Sequence, residues 1–258
     1  MRKSKVKRNL REGKPSLFIT IHLTDASLFE LISSMAVDCI WMDMEHHAYS
    51  LETANKLIRA SRVGDIDVMV RPAKWEYLQI SRVLETGATG ILYPRCDNAE
   101  EAATVVRWAK FFPVGRRGAD GGNPDMPYLS LPLDEYIKTA NEETFVGIQI
   151  EDQKALDNAE EMARVEGVDF IFLGPADFSI LGGFAGDMNH PKLQNAIQRI
   201  AAVAGNTGKA WGMPVAGAEK AKEVIELGAK ILTWSSDLSI VMRGLQQIQK
   251  SFTRLTKA

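Results

Sequence analysis

The chain has 258 residues, 45% hydrophobic and 25% charged, the balance of an ordinary soluble globular protein. A formal net charge of −2 gives no global basic field for nucleic acid, and no apolar run reaches the roughly 18 residues that a membrane helix requires. The length suits two small domains or one α/β barrel, which takes about 250 residues.

The segment 1–14 is basic, with Arg2, Lys3, Lys5, Lys7, Arg8, Arg11 and Lys14. No apolar stretch with a small-residue cleavage site follows, so it does not read as a secretory signal. A solvated arm or short amphipathic helix is expected, with a nucleic-acid or membrane-surface tail as the weaker alternative.

From there, β-type runs at 17–22, 38–43, 67–71, 90–93, 145–151, 170–173, 210–212 and 231–234 alternate with segments of helical period. The helical segments lie near 25–35, 51–63, 75–86, 98–111, 153–165, 190–206, 217–227 and 235–251. In the last of these Leu238, Val241, Met242, Leu245 and Ile248 recur at spacings of three and four. Gly87, Gly167 and Gly228 follow helical segments where left-handed C-caps are expected. The strands are largely continuous apolar runs, as in a parallel sheet buried on both faces. An open doubly wound sheet shows the same alternation. Eight repeats, without an opening GxGxxG loop, favour an α/β fold of the (β/α)8 TIM-barrel type, one domain spanning 1–258.

One connection breaks the rhythm. Segment 113–143 carries Pro113, Gly115, Gly118, Gly121, Gly122, Pro124, Pro127 and Pro132. Loops of this length inside a compact domain are usually functional, so an active-site loop with a helix near 131–140 is expected, against a surface Ω-loop with no role. Cys39 and Cys96 have neither CxxC nor zinc spacing and read as reduced structural thiols of a cytoplasmic protein.

Barrel chemistry is expected at the C-terminal ends of strands. The second run ends Asp43-Met44-Glu45-His46-His47, the third ends Arg71-Pro72, the fifth reads Gln149-Ile150-Glu151, and the sixth ends Gly174-Pro175-Ala176-Asp177. Period two places Gln149 and Glu151 on one face, and Asp43 and Glu45 together if the strand persists. Taken singly, Asp177 can be a turn cap, Glu151 a first-turn helix residue, and His46 or His47 a structural histidine. Four strand ends that converge on one volume are harder to dismiss. Glu151 and Asp177 are two oxygen ligands suited to a hard divalent ion with open positions, Mg²⁺ or Mn²⁺, with Co²⁺ a further candidate. Such an ion acts as a Lewis acid toward a 2-oxo acid, Arg71 is a donor to the same oxygen, and His46 is the natural proton carrier. The segment Gly174–Asp177 allows close backbone approach to a substrate carboxylate. A Schiff-base mechanism lacks its lysine: Lys209 and Lys230 stand at the wrong strand ends and Lys74 in a loop. The loops after the seventh and eighth strands are poor phosphate sites.

At these residues the chain resembles the class II pyruvate aldolases of the HpcH/HpaI type. Segments 10–15, 43–46, 70–72, 113–118, 149–151 and 174–177 match in order, across nearly the whole chain. The resemblance implies a (β/α)8 barrel whose last helix is exchanged between subunits of a homo-hexamer. It implies Glu151 and Asp177 as metal ligands, Arg71 on the keto oxygen, Gln149 positioning pyruvate, the segment from Gly174 on its carboxylate, and His46 as acid/base through water. The carboxylate that partners this histidine falls to Glu85, and Ala119–Asp125 replaces the family's Arg-Ala step. The implied reaction is reversible cleavage of a 4-hydroxy-2-oxo acid to pyruvate and an aldehyde. Oxaloacetate decarboxylation and citrate-lyase-like acyl-CoA cleavage are the rivals, and a non-catalytic scaffold barrel is a different class.

Overall fold

Eight parallel strands close on themselves in chain order in a computed structural model that describes residues 2–256. They are β1 (Ser16–Ile21), β2 (Cys39–Asp43), β3 (Asp67–Arg71), β4 (Gly90–Tyr93), β5 (Phe145–Ile150), β6 (Phe170–Leu173), β7 (Ala210–Val215) and β8 (Ile231–Ser236), with β8 pairing back onto β1. Every expected strand forms. The expected helix at 153–165 is broken at Asn158, and Pro175–Leu181 forms a helix in a stretch to which the sequence pattern assigns no element.

The pleat sorts the side chains. Phe18, Cys39, Trp41, Met69, Leu92, Phe145, Phe170, Phe172 and Ile231 point inward and fill the barrel. The alternate residues, such as Ile148 and Ile150, pack under the helices. Gly147 makes room for this filling: a Cβ there would stand 2.3 Å from the Phe170 ring. The interior is therefore a packed core, and a cavity opens above it, at the C-terminal rim.

Of the two forms expected for the basic N-terminal segment, a solvated arm or a short helix, the helix is the one present. It spans Lys5–Arg11 and seals the barrel floor, with Val6 fully buried against the inward-facing core. The Ser4 hydroxyl and the Val6 N–H both donate to Asp67 Oδ2, at 2.6 and 2.8 Å, and the Ser4 N–H donates to Glu143 at 2.8 Å. Lys5, Lys7 and Arg11 pair with Asp38, Asp169 and Glu143.

Burial pushes the Asp67 carboxyl up to about 6, although Ser4 and Val6 donate to it. A raised folded pKa means the fold prefers the protonated acid. This stabilisation is full below the unfolded carboxylate range and is lost as pH rises through about 6. Asp67→Asn does not titrate. Its melting temperature relative to wild type is expected to rise by several degrees between about pH 4 and pH 7, and a flat difference would contradict the assignment.

Two of the expected rim contributors lie away from the rim of their own chain, for one reason. Barrel helices run antiparallel to the strands, so helix-to-strand connections lie at the floor. Segment 113–143 is such a connection, between the helix Ala99–Ala109 and β5, and it lines no part of the rim cavity. It does contain the expected helix, at Leu133–Glu143. Arg117 is buried there against Asp125 at 3.0 Å and stacks on Phe111. Glu85 ends the helix Tyr77–Glu85 at the same floor, where its carbonyl accepts from the Asp125 N–H and its carboxyl is raised by burial. It forms no pair with His46 in the same chain.

The terminal helix Asp237–Thr256 buries only Asp237. Leu245, Ile248 and Phe252 are 57%, 66% and 65% exposed. None of the described helices is long and apolar enough to cross a membrane.

Candidate active site

The rim cavity has a volume of about 700 Å³ and is lined by His46, Arg71, Gln149, Glu151 and Gly174–Asp177, together with Thr20, His22, Trp41 and Thr233. The expected residues of β2, β3, β5 and β6 are thus brought together.

Arg71 is the pivot. Asp43 grips it with both oxygens, Nε donating to Oδ1 at 2.9 Å and Nη2 to Oδ2 at 2.6 Å. This fork geometry fixes the guanidinium plane. Glu45 adds an ion pair at 3.2 Å, and the guanidinium lies 5.0 Å from the Trp41 ring centroid. Nη1 is left with a 3.5 Å contact to Gln149 Oε1 and is the donor available to a ligand. β2 ends at Asp43, whose Oδ1 also accepts from the N–H groups of Glu45 and His46. That turn brings Glu45 back to Arg71 beside Asp43. Burial works to raise Asp43, but the Arg71 hydrogen bonds overcome it and hold the carboxylate below its usual range. Burial raises Glu45, with Arg71 and His46 opposing.

Glu151 is 3% exposed. Its Oε1 accepts from Gln149 Nε2 at 2.7 Å, as period two requires, and its Oε2 accepts from the Arg95 N–H at 2.9 Å. Burial pushes this carboxyl up to about 8, against the pull of Arg71 and with Asp177 and Glu45 adding repulsion. Gly174 is required by this packing, because a Cβ there would meet Glu151 Oε1 at 2.6 Å. Asp177 lies in the first turn of the helix Pro175–Leu181, whose leading N–H groups have no intrahelical acceptors.

His46 is 55% exposed, with Nε2 3.6 Å from Glu45 Oε2. His47 stands 3.4 Å from Asp43. Trp41 Nε1 and Thr233 Oγ1, from two residues that line the cavity, are buried without a hydrogen-bond partner among the described residues. Buried polar atoms are normally satisfied, so this wall is built to be completed by a polar ligand.

Sequence reasoning missed three contributors. Arg95 acts through its backbone, held at φ 49°, which aims its N–H at Glu151. Trp41 carries Arg71 on its face. His22 and Asp237, 215 residues apart in the chain, form a pair at 2.8 Å. A charged residue beyond the Tyr93-Pro94 strand end was the only signal for the first. The third has none in linear sequence.

Residues 17–243 match the HpcH/HpaI aldolase/citrate lyase family. The chain is 30% identical over 243 residues to the 4-hydroxy-2-oxo-heptane-1,7-dioate aldolase of Escherichia coli, covering 94% of this chain and 92% of that protein. It superimposes on the crystal structure of an HpcH/HpaI aldolase from Desulfitobacterium hafniense with a TM-score of 0.92, at 28% identity and 97% coverage of each chain. The crystal structure of the citrate synthase SbnG gives a TM-score of 0.89, at 25% identity and 98% coverage of each. A barrel with this rim, matched over nearly its whole length, belongs to the HpcH/HpaI aldolase/citrate lyase family and is an enzyme of the aldolase kind, a carbon–carbon lyase.

Proposed function

We propose that the chain reversibly cleaves a 4-hydroxy-2-oxo acid to pyruvate and an aldehyde, with a divalent cation held by Glu151 and Asp177. The observation that carries this is the buried Glu151 carboxylate, destabilised beside Asp177 and Glu45, in a cavity that Arg71 also lines, its Nη1 held only by a 3.5 Å contact to Gln149. A cation relieves that repulsion. Two carboxylates suit a hard ion such as Mg²⁺ or Mn²⁺, with Co²⁺ a further candidate. Two protein ligands leave the other positions of such an ion to substrate and water; among the described residues no group of three or more His, Cys, Asp or Glu side chains is placed to hold a metal. When bound, the cation supplies Lewis acidity to the 2-oxo carboxylate end of the substrate.

The chain's own groups do the rest. Arg71 Nη1 donates to the keto oxygen as negative charge builds there, and Asp43 holds Arg71 in line. Gln149 orients the 2-oxo acid against Glu151, and the Gly174–Asp177 backbone receives its carboxylate. As the C3–C4 bond breaks, its electron pair passes into the pyruvate enolate and C4 becomes the aldehyde carbon. His46 returns a proton to C3 through water.

The likeness to a citrate synthase supports a second reading, in which the same site generates its enolate from oxaloacetate or by acyl-CoA cleavage. Purified protein with Mg²⁺ or Mn²⁺ is expected to release pyruvate from 4-hydroxy-2-oxopentanoate, and EDTA is expected to abolish the release. Release of pyruvate only from oxaloacetate would favour the second reading. Turnover indifferent to EDTA would remove the metal.

A homo-oligomer, on the family pattern a hexamer, accounts for the bare terminal helix by exchange with a second copy. Glu85 and segment 113–143 stand at the floor, so a part for them in the reaction also requires a second copy. The buried free thiols Cys39 and Cys96 suit a reducing cytoplasm.

A further inference from the structure

We propose that His22, backed by Asp237, is a second proton carrier of this cavity and takes the proton of the substrate's C4 hydroxyl during cleavage. The inference rests on the aldolase reading above, in which His46 serves C3 through water, and assigns the C4 hydroxyl proton to a separate group.

Placement comes first. His22 follows β1 directly, and Asp237 follows β8. In an eight-stranded barrel β1 lies across from β5, which delivers Glu151. His22 and Glu151 line one cavity from opposite walls. A 2-oxo acid held by its keto and carboxylate oxygens on the Glu151 side extends its C4 end toward the wall formed by Thr20, His22, Thr233 and Ser236.

Preorganisation comes second. The Asp237 side chain is 2% exposed and accepts from the N–H groups of His22, Leu23 and Leu238. These donors, with the His22 ring, outweigh burial and keep its carboxylate ionised. His22 Nδ1 stands 2.8 Å from this acceptor and must therefore carry the hydrogen. Nε2 is left as the basic nitrogen of a ring that borders the cavity. The His47 ring packs 4.8 Å away, and the Tyr49 hydroxyl donates to the His22 carbonyl. The imidazole is thus fixed in tautomer and direction, whereas His46 is more than half exposed with a single 3.6 Å carboxylate contact.

The step balances without another reactant. The C4 hydroxyl proton passes to His22 Nε2, the O–H pair forms the aldehyde C=O, and the C3–C4 pair enters the enolate. Asp237 stabilises the imidazolium. In the condensation direction His22 returns the proton to the aldehyde oxygen.

Enolisation of pyruvate does not use the C4 hydroxyl, and this separates His22 from the rest of the site. His22→Asn can keep a donor toward Asp237 near the Nδ1 position while it removes Nε2. With Mn²⁺ present, cleavage of 4-hydroxy-2-oxopentanoate is expected to fall about 10²-fold or more. Deuterium exchange into the pyruvate methyl should stay within about twofold of wild type, a split that a merely structural role would not produce. His22→Gln, with an amide near the Nε2 position, is the second variant if the first is unstable. Wild-type cleavage in a folded variant overturns the proposal, as does a parallel fall in cleavage and exchange. A wild-type enzyme that neither exchanges nor cleaves overturns the aldolase reading itself, so the two failures are told apart.

Discussion

Glu151→Gln is expected to lower cleavage of a 4-hydroxy-2-oxo acid by at least about 10³-fold while raising the melting temperature of the metal-free protein. The substitution keeps the side chain's size, and its amide oxygen can still accept from Gln149 or Arg95. It removes the charge that a cation needs. Lewis-acid assistance is worth several kcal/mol, and each factor of ten in rate takes about 1.4 kcal/mol. The same substitution removes repulsion from a buried site shared with Asp177 and Glu45, so stability should move the other way. A simple folding defect lowers both quantities. Titration with Mn²⁺ should show weakened binding in the variant. A variant with wild-type turnover would remove Glu151 from the reaction.

Leu245→Asp combined with Ile248→Asp is expected to reduce the oligomer proposed above to single chains. Both residues are more than half exposed on a helix that buries only Asp237 in its own chain. Burying one large aliphatic side chain stabilises by about 1.5–3 kcal/mol, and an exchanged helix counts twice at a two-fold contact. A carboxylate at each position forfeits that gain and adds desolvation. Light scattering should report the mass of one chain, with a reduced melting temperature. An unchanged mass would mean that this helix does not hold the assembly together.

The strands were legible because a parallel barrel buries both faces, which leaves continuous apolar runs whose polar ends stand out. Asp43, Arg71, Gln149, Glu151 and Asp177 could be placed at one rim on that basis alone. The helix Pro175–Leu181 was not, because Gly174-Pro175 reads as a break although proline also suits a first helical position. Glu85 and segment 113–143 were tied to the rim through their place in the sequence. Chain direction decides the matter: both follow helices, and helices in this fold deliver their C-termini to the floor. Arg95 left only its place beyond the fourth strand as a trace, because its contribution is a backbone N–H. His22 and Asp237 were each readable as the margin of an element, and only the closure of β8 on β1 makes them neighbours.

The helix that seals the floor has a consequence for synthesis. Its partners are Asp38, Asp67, Glu143 and Asp169, so the segment cannot complete its contacts until synthesis has passed residue 169. Until then Val6 and Leu10 remain without their barrel, and β1 waits longer still for β8. Docking of this helix is therefore among the last acts of folding, and a nascent chain released before residue 169 leaves a basic helix with Val6 and Leu10 uncovered for chaperones to hold.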